Sequence, residues 1–199
     1  MLEFLLASGN AHKAEEFAAL FAGKIRVLPA PRGVEIDETG STYADNALLK
    51  ARGYYEAFKQ PALADDSGLI IDALPDILGV QSARFLPEVP SYADKCAELL
   101  RRLENVSAEA RTAHFTCVLC FYLSPTEVFM FEGRVHGRIG RALRGDKGFG
   151  YDPIFVPDRA ENDGLSLAEL PEWKNAHSHR AKASQNALTY FTVAPRSAL

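Results

Sequence analysis

The sequence predicts an α/β fold, and three features carry that expectation. Short apolar runs such as Leu2–Ala7 are followed by stretches with helical spacing. Turn and cap residues punctuate the changes between them. In the middle, Thr112–Leu123 alternates strictly, with Ala113, Phe115, Cys117, Leu119, Phe121 and Leu123 on one face. Ser124-Pro125-Thr126 then turns the chain into Val128–Val135, which predicts an antiparallel hairpin.

The other elements follow in order. Leu2–Ala7 reads as a buried strand, and Ser8-Gly9-Asn10 as a polar turn that caps a helix over 11–22. Ala14, Phe17, Leu20 and Phe21 form the inner face of that helix. A second helix is predicted over 42–58, with Thr42 and Asp45 as its cap pair and Tyr43, Ala47, Ala51, Tyr54 and Phe58 as its apolar stripe. Ala62–Ala64, Asp65–Gly68 and Leu69–Leu74 then read as strand, acidic turn, strand. A third helix over 92–104 is capped by Ser91 and Asp94 and buries Cys96, Leu99, Leu100 and Leu103. The stretch from Gly137 to Pro157 reads as a functional loop between strands, Ser166–Leu170 as a capped turn, and Ser178 as the cap of a last helix.

Composition bounds the function. The 199 residues suit one domain, 1–199, or two intimately packed lobes, and can bury a substantial core. A net charge of −4 argues against nucleic acid or an anionic membrane as the main partner. Cys96, Cys117 and Cys120 make no disulfide framework, which fits a reducing, cytoplasmic setting. Cys117 and Cys120 lie three apart on a strand, so they point to opposite faces. The N-terminal run reads as a strand rather than a targeting segment, and no run is long enough to span a bilayer.

Five clusters could carry chemistry. Ser8, Gly9, Asn10, Ala11, His12 and Lys13 form a strand-to-helix turn whose N–H groups and lysine would suit an anion; the alternative is an ordinary capped helix. Asp65 and Asp66 are adjacent carboxylates that persist beside a divalent cation or a lysine, or else form a polar turn; Asp37-Glu38 could complete a metal site. Asn46 and Lys50 share a helix face next to the buried stripe. Phe149, Gly150, Tyr151 and Asp152 form a Gly-flexible loop that could stack on a planar ring, with Asp152 reading its edge, or else a β-turn with packing aromatics. Lys174, His177, His179 and Arg180 crowd cationic groups beside a helix start. Together these are the parts for binding a metal-complexed nucleotide, and spacing alone does not say which bond is broken.

The motifs, taken in order, resemble the Ham1-like inosine triphosphate pyrophosphatases. They are Ser8-Gly9-Asn10 with Lys13, Glu38-Thr39-Gly40, Asn46-Ala47 with Lys50-Ala51, Ala64–Leu69, Ser82–Phe85, Gly148–Phe155, Lys174-Asn175 and Ser178-His179-Arg180. The resemblance covers about residues 3–190. It implies an elongated, twisted mixed sheet flanked by helices, two lobes with a central cleft, and a homodimer. It also implies Mg²⁺-dependent hydrolysis of ITP, dITP and XTP to monophosphate and pyrophosphate, clearing deaminated purines from the nucleotide pool.

By that resemblance, Ser8–Lys13 binds the triphosphate and Asp66 is the catalytic carboxylate and a metal ligand. Asp65 supports Asp66, Ser67 touches substrate, and Lys50 is a cation near the phosphates. Phe149 stacks on the purine within the loop to Asp152. Lys174, His179 and Arg180 complete the substrate contacts, with Arg180 donating to the 6-keto oxygen that adenine lacks. The family's Glu-Glu-Thr-Gly is Asp37-Glu38-Thr39-Gly40 here, so the metal-binding first position is a shortened Asp37 and either acid is open as the ligand. Trp173 stands where an acidic residue often precedes the Lys-Asn pair. The alternatives are a Maf-like nucleotide pyrophosphatase of other specificity and a nucleotide-binding sensor without turnover. The Ser178-His179-Arg180 segment argues against the first. The clustered carboxylates argue against the second.

Overall fold

A computed structural model describes residues 2–159, 161 and 163–193. Residues 160 and 162, within the polar loop expected at 158–165, lie outside the described residues. Six strands form one mixed sheet in the order β2-β1-β3-β4-β5-β6. The strands are β1 Leu2–Leu6, β2 Ile25–Pro29, β3 Ala62–Ile71, β4 Thr112–Ser124, β5 Glu127–Ile139 and β6 Phe155–Pro157. β1 pairs in parallel with both β2 and β3, whereas β5 and β6 are antiparallel. Five helices accompany them: α1 Ala11–Leu20, α2 Tyr43–Phe58, α3 Tyr92–Arg102, α4 Pro171–His177 and α5 His179–Val193. Among the described residues, no helix is long and apolar enough to cross a membrane.

The caps form where the sequence places them. Thr42 and Asp45 make a reciprocal capping box on α2, Ser91 accepts from Asp94 N on α3, and Ser166 with Glu169 boxes the 3₁₀ turn Leu167–Glu169. Two expectations fail. The loop expected over Gly137–Pro157 gives both its ends to the sheet, since β5 runs on to Ile139 and β6 takes up Phe155–Pro157. Asp65–Gly68 is not a turn; it lies inside the continuous strand β3. Turn composition is overruled here because the strand is buried and its carboxylates meet cationic and amide donors from the helices. β2, β6 and α4 are additions, being too short to leave a periodic signal.

The chain divides into two compact units. Among the described residues, the first comprises 2–66, 117–133 and 179–193; the second comprises those of 67–116 and 134–178. Within the first unit, alternation along the strands separates two cores. Phe4, Leu6, Leu63, Leu119 and Phe121 pack with Phe17 and Phe21 of α1 and with Ala183 and Ala187 of α5. Ala62, Ala64, Cys120 and Tyr122 pack instead with Ala47, Ala51 and Tyr54 of α2. Cys117 belongs to the former core and Cys120 to the latter, as their spacing predicts. Phe121 meets Phe4 and Phe21 edge-on, at centroid separations of 5.0 and 5.8 Å. Gly133 lets α5 reach the sheet, since a Cβ there would lie 2.1 Å from His179 O and 2.3 Å from Ala183 N.

In the second unit, Leu69, Ile71, Cys96, Leu99, Phe115, Phe155 and Leu167 form a single core. Phe115 and Phe155 bring β4 and β6 together at 4.8 Å between ring centroids. The buried Arg111 ties this unit through carbonyls: Nε donates to Ile139 O, Nη1 to Leu103 O and Nη2 to Gly140 O. Leu103 is the C-cap of α3, so the guanidinium takes up a carbonyl at that helix end.

Candidate active site

The two cores of the first unit decide where the acidic pair points. Leu63 faces α1 and α5, so Asp65, two residues on, faces them too. Ala64 faces α2, and so does Asp66. Asp65 accordingly meets Lys13 of α1, with Nζ 2.8 Å from Oδ2, and Arg180 of α5, with Nε 3.6 Å from Oδ2. Asp66 meets α2: Asn46 Nδ2 donates to Oδ2 at 3.3 Å and Lys50 Nζ to Oδ1 at 3.4 Å. The shared helix face predicted for Asn46 and Lys50 thus delivers both to one carboxyl.

Lys50 also joins Glu38, with Nζ 2.7 Å from Oε1. Asn46 Oδ1 in turn accepts from Gly40 N at 2.8 Å, which fixes the Glu38-Thr39-Gly40 segment against α2. Asp37 is exposed. Of the two acids left open as metal ligands, the structure brings Glu38 to Asp66, through Lys50.

The electrostatics of the two aspartates diverge. Burial opposes ionisation of Asp65, but the charges of Lys13, Arg180 and Lys50 outweigh it and hold the carboxyl far below the usual range. At Asp66 burial is again the largest influence. The negative charges of Glu38 and Asp65 add to it, Lys50 and Asn46 oppose it, and the net shift is upward. Lys50 is shifted up because Asp65, Asp66 and Glu38 outweigh its burial.

A cavity of about 260 Å³ opens beside this cluster, lined among others by Ser8, Gly9, Asn10, Lys13, Glu38 and Lys50. The strand-to-helix turn is more self-satisfied than its sequence implies. Asn10 caps α1, its Oδ1 accepting from His12 N and Lys13 N, and Ser8 Oγ accepts from Asn10 N. Three of the N–H groups expected to face an anion are therefore already engaged, and Lys13 rests on Asp65. His12 is exposed, and Ala11 opens the helix.

His179 and Arg180 are buried at the start of α5. Arg180 Nη1 donates to Glu16 Oε2 at 3.4 Å, so its guanidinium lies between Glu16 and Asp65. Glu16 escaped the sequence reading. It sits one turn beyond Lys13, and the spacing of α1 was the only trace of it.

In the second unit, Phe149–Asp152 folds around its own acid. Gly148 has φ +78°, and a Cβ there would lie 2.3 Å from Asp152 Oδ2. That oxygen accepts from Phe149 N at 2.9 Å and from Lys174 Nζ at 2.8 Å. Asp152 is thereby a brace for the loop. Lys174 also lies 4.6 Å from the Phe149 ring centroid. Its partners are Asp152 and Phe149, so the Trp173 departure leaves it well held. Tyr151 Oη donates to Ser82 O at 2.7 Å, and its ring meets Tyr92 edge-on at 5.3 Å. Gly150 O lies 3.7 Å from Cys96 Sγ, and burial pushes that thiol up to about 12. Ser67 is half-buried on β3.

Among the described residues, no three His, Cys, Asp or Glu side chains converge as a closed metal cage. Glu38 and Asp66 do meet at one ammonium. Two carboxylates of that kind suit Mg²⁺, which is held by one or two carboxylates and completes its shell with phosphate oxygens and water.

Comparison with known proteins agrees with this architecture. A dITP/XTP pyrophosphatase of Geobacillus kaustophilus is 46% identical over 92% of this chain and 91% of its own. One of Aquifex aeolicus is 43% identical over 92% and 93%. The solved structure of a HAM1 protein from Coxiella burnetii superposes with a TM-score of 0.84 at 38% identity, covering 98% of this chain and all of that one. The family model described as the Ham1 family matches residues 4–190, and the chain belongs to the Ham1 family.

Proposed function

We propose that the protein hydrolyses noncanonical purine nucleoside triphosphates, dITP, XTP and ITP, to the nucleoside monophosphate and pyrophosphate. Its relatives are dITP/XTP pyrophosphatases, and it is a nucleoside-triphosphate pyrophosphatase of the same kind. The observation that carries the mechanism is the cluster Glu38–Lys50–Asp66–Asn46 beside the Ser8–Lys13 cavity.

Water attacks the α-phosphorus and pyrophosphate leaves. Asp66, with Oδ1 held by Lys50 and Oδ2 by Asn46, is oriented to take the proton from that water. Its upward shift makes it a better base than an ordinary surface aspartate. Lys50 and Lys13 place positive charge where negative charge builds on the phosphate oxygens. Asp65 keeps Lys13 and Arg180 in position rather than acting on substrate itself. Glu38 and Asp66 would hold Mg²⁺, whose charge would neutralise the triphosphate.

Phe149 offers its ring to the purine, and Lys174 and Asp152 fix that ring's loop. His179, Arg180 and Ser67 complete the set of residues for substrate. The 199 residues act as one catalytic domain, in the cytoplasm and as a homodimer; light scattering of the purified chain tests the last point. The test of the activity is pyrophosphate release from dITP, XTP, ITP, ATP, GTP and dUTP with and without Mg²⁺. Release from the first three only, and only with Mg²⁺, is expected. Equal release from ATP would overturn the substrate class.

A further inference from the structure

A second cavity, of about 200 Å³, lies wholly within the second unit. Four arginines line it, Arg111, Arg138, Arg141 and Arg144, and none of its lining residues is an Asp or Glu. Arg111 is 3% exposed, and its hydrogen bonds all go to neutral carbonyls. A guanidinium carries five N–H donors, and three such bonds leave donors to spare. Burial, and then the charge of Arg141, push the Arg111 pKa down, so these two cations repel each other across the cavity wall.

The acids nearby leave the charge of Arg111 and Arg141 uncancelled. Glu169 lies 3.3 Å from Arg144, and Glu109 senses Arg141 without forming an ion pair. Arg111 and Arg141 have no carboxylate within ion-pair distance among the described residues. Buried charge without a counter-ion is costly, and a multivalent oxyanion relieves it best because guanidinium forks match phosphate oxygens in pairs. The volume is below the roughly 300–1,000 Å³ of sites for drug-sized ligands, which leaves room for a compact anion rather than a nucleotide.

We infer that this cavity is a second anion site, taking inorganic phosphate or pyrophosphate on Arg111, Arg138 and Arg141. It is separate from the Ser8–Lys13 cavity of the first unit, and the inference does not depend on the proposed activity.

The test uses the full chain, ¹⁵N-labelled, titrated with pyrophosphate, with phosphate and with acetate at constant ionic strength. The variant is Arg138→Gln/Arg141→Gln, which leaves the fold-tying Arg111 in place. Saturable shifts of the Gly140, Ala142 and Gly164 amides are expected with pyrophosphate or phosphate. Acetate should be at least tenfold weaker, and the variant should weaken binding at least tenfold while its amide spectrum away from the cavity stays that of the parent. A response to pyrophosphate alone assigns the diphosphate, and a response to both assigns the phosphate group. Shifts confined to Ser8–Lys13, equal shifts with acetate, or an unchanged affinity in the variant would each overturn the inference.

Discussion

Asp65 and Asp66 are chain neighbours whose carboxyls lead opposite electrostatic lives. Asp65 turns to Lys13 and Arg180 and is held far below the usual range; Asp66 turns to Asn46 and Lys50 and is raised. The cause is the two-residue period of β3, which sends one to the α1/α5 side and the other to the α2 side. In the proposed mechanism one position is a structural counter-ion and the other a reactive group, and substitutions should separate them.

Asp66→Asn should lower dITP hydrolysis by about 10²–10⁴-fold, the usual contribution of a general base. It should not lower stability at neutral pH. A raised folded pKa means that the ionised carboxyl is disfavoured in the fold, so stability falls as pH rises through that window. Removing the charge removes that cost. Thermal melts and pyrophosphate release on one preparation check both halves; a large drop in Tm with the lost activity would make Asp66 structural instead.

Asp65→Asn should do the reverse to stability. The folded pKa is depressed, so the stabilising contribution is complete above the unfolded value of about 3.9 and is lost as pH falls toward the folded value. The loss of the carboxylate shared by Lys13 and Arg180 costs at most about 3–5 kcal/mol, since Arg180 keeps Glu16 and the Lys13 side chain is 19% exposed. The Tm deficit should be greatest at neutral pH and shrink on acidification below pH ~4. A deficit independent of pH would show that the charge is not what matters.

The cluster was only partly legible in the sequence, for physical reasons. Asn46 and Lys50 could be placed on one face because helical spacing is local. The partners of the aspartates could not: Lys13 is 52 residues from Asp65, and Glu16 is 164 from Arg180. Asp65–Gly68 has the composition of a turn, and only burial between helices not adjacent in sequence makes it strand. Asp37 and Glu38 are equivalent in one dimension, and only the folded chain shows that Glu38 is the one paired with Lys50. The hold of Asp152 on Phe149 N and Lys174 was not legible either, because Lys174 lies 22 residues away in the chain.

Lys50→Met should make the protein depend on Mg²⁺ for stability. Without the ammonium, Glu38 and Asp66 face each other with no cation between them. The metal-free Tm should fall, and millimolar Mg²⁺ should raise it more in the variant than in the parent, by the linkage of binding to folding. Equal Mg²⁺ responses in both would place the ion elsewhere.

Gly148→Ala should weaken substrate binding before it slows chemistry. The position has φ +78°, and the added methyl would lie 2.3 Å from the Asp152 oxygen that also holds Phe149 N and Lys174. Relief requires moving that oxygen and with it the loop. The expected result is a higher KM for dITP with a smaller change in kcat. A fall in kcat alone would detach the loop from ground-state binding.

Arg180 is where structural and recognition roles can be told apart. Its guanidinium is 5% exposed and sits between Glu16 and Asp65, so Arg180→Ala leaves Glu16 without that cation and Asp65 with Lys13. A stability loss of about 3–5 kcal/mol is expected at neutral pH. Glu16→Gln in the same chain should recover part of it by removing one of the two charges; Glu16 Oε1 accepts no hydrogen bond among the described residues, so an amide there displaces no existing bond. Base selection is read in that double variant, with stability restored. A role confined to packing would lower kcat/KM for dITP and dATP by the same factor. A donor reading the 6-keto oxygen would instead narrow the dITP/dATP ratio by about ten- to a hundredfold, since adenine presents an amino group there and leaves a donor unmatched. A ratio that survives in the double variant would assign Arg180 to the Glu16–Asp65 framework alone and move base selection to other donors.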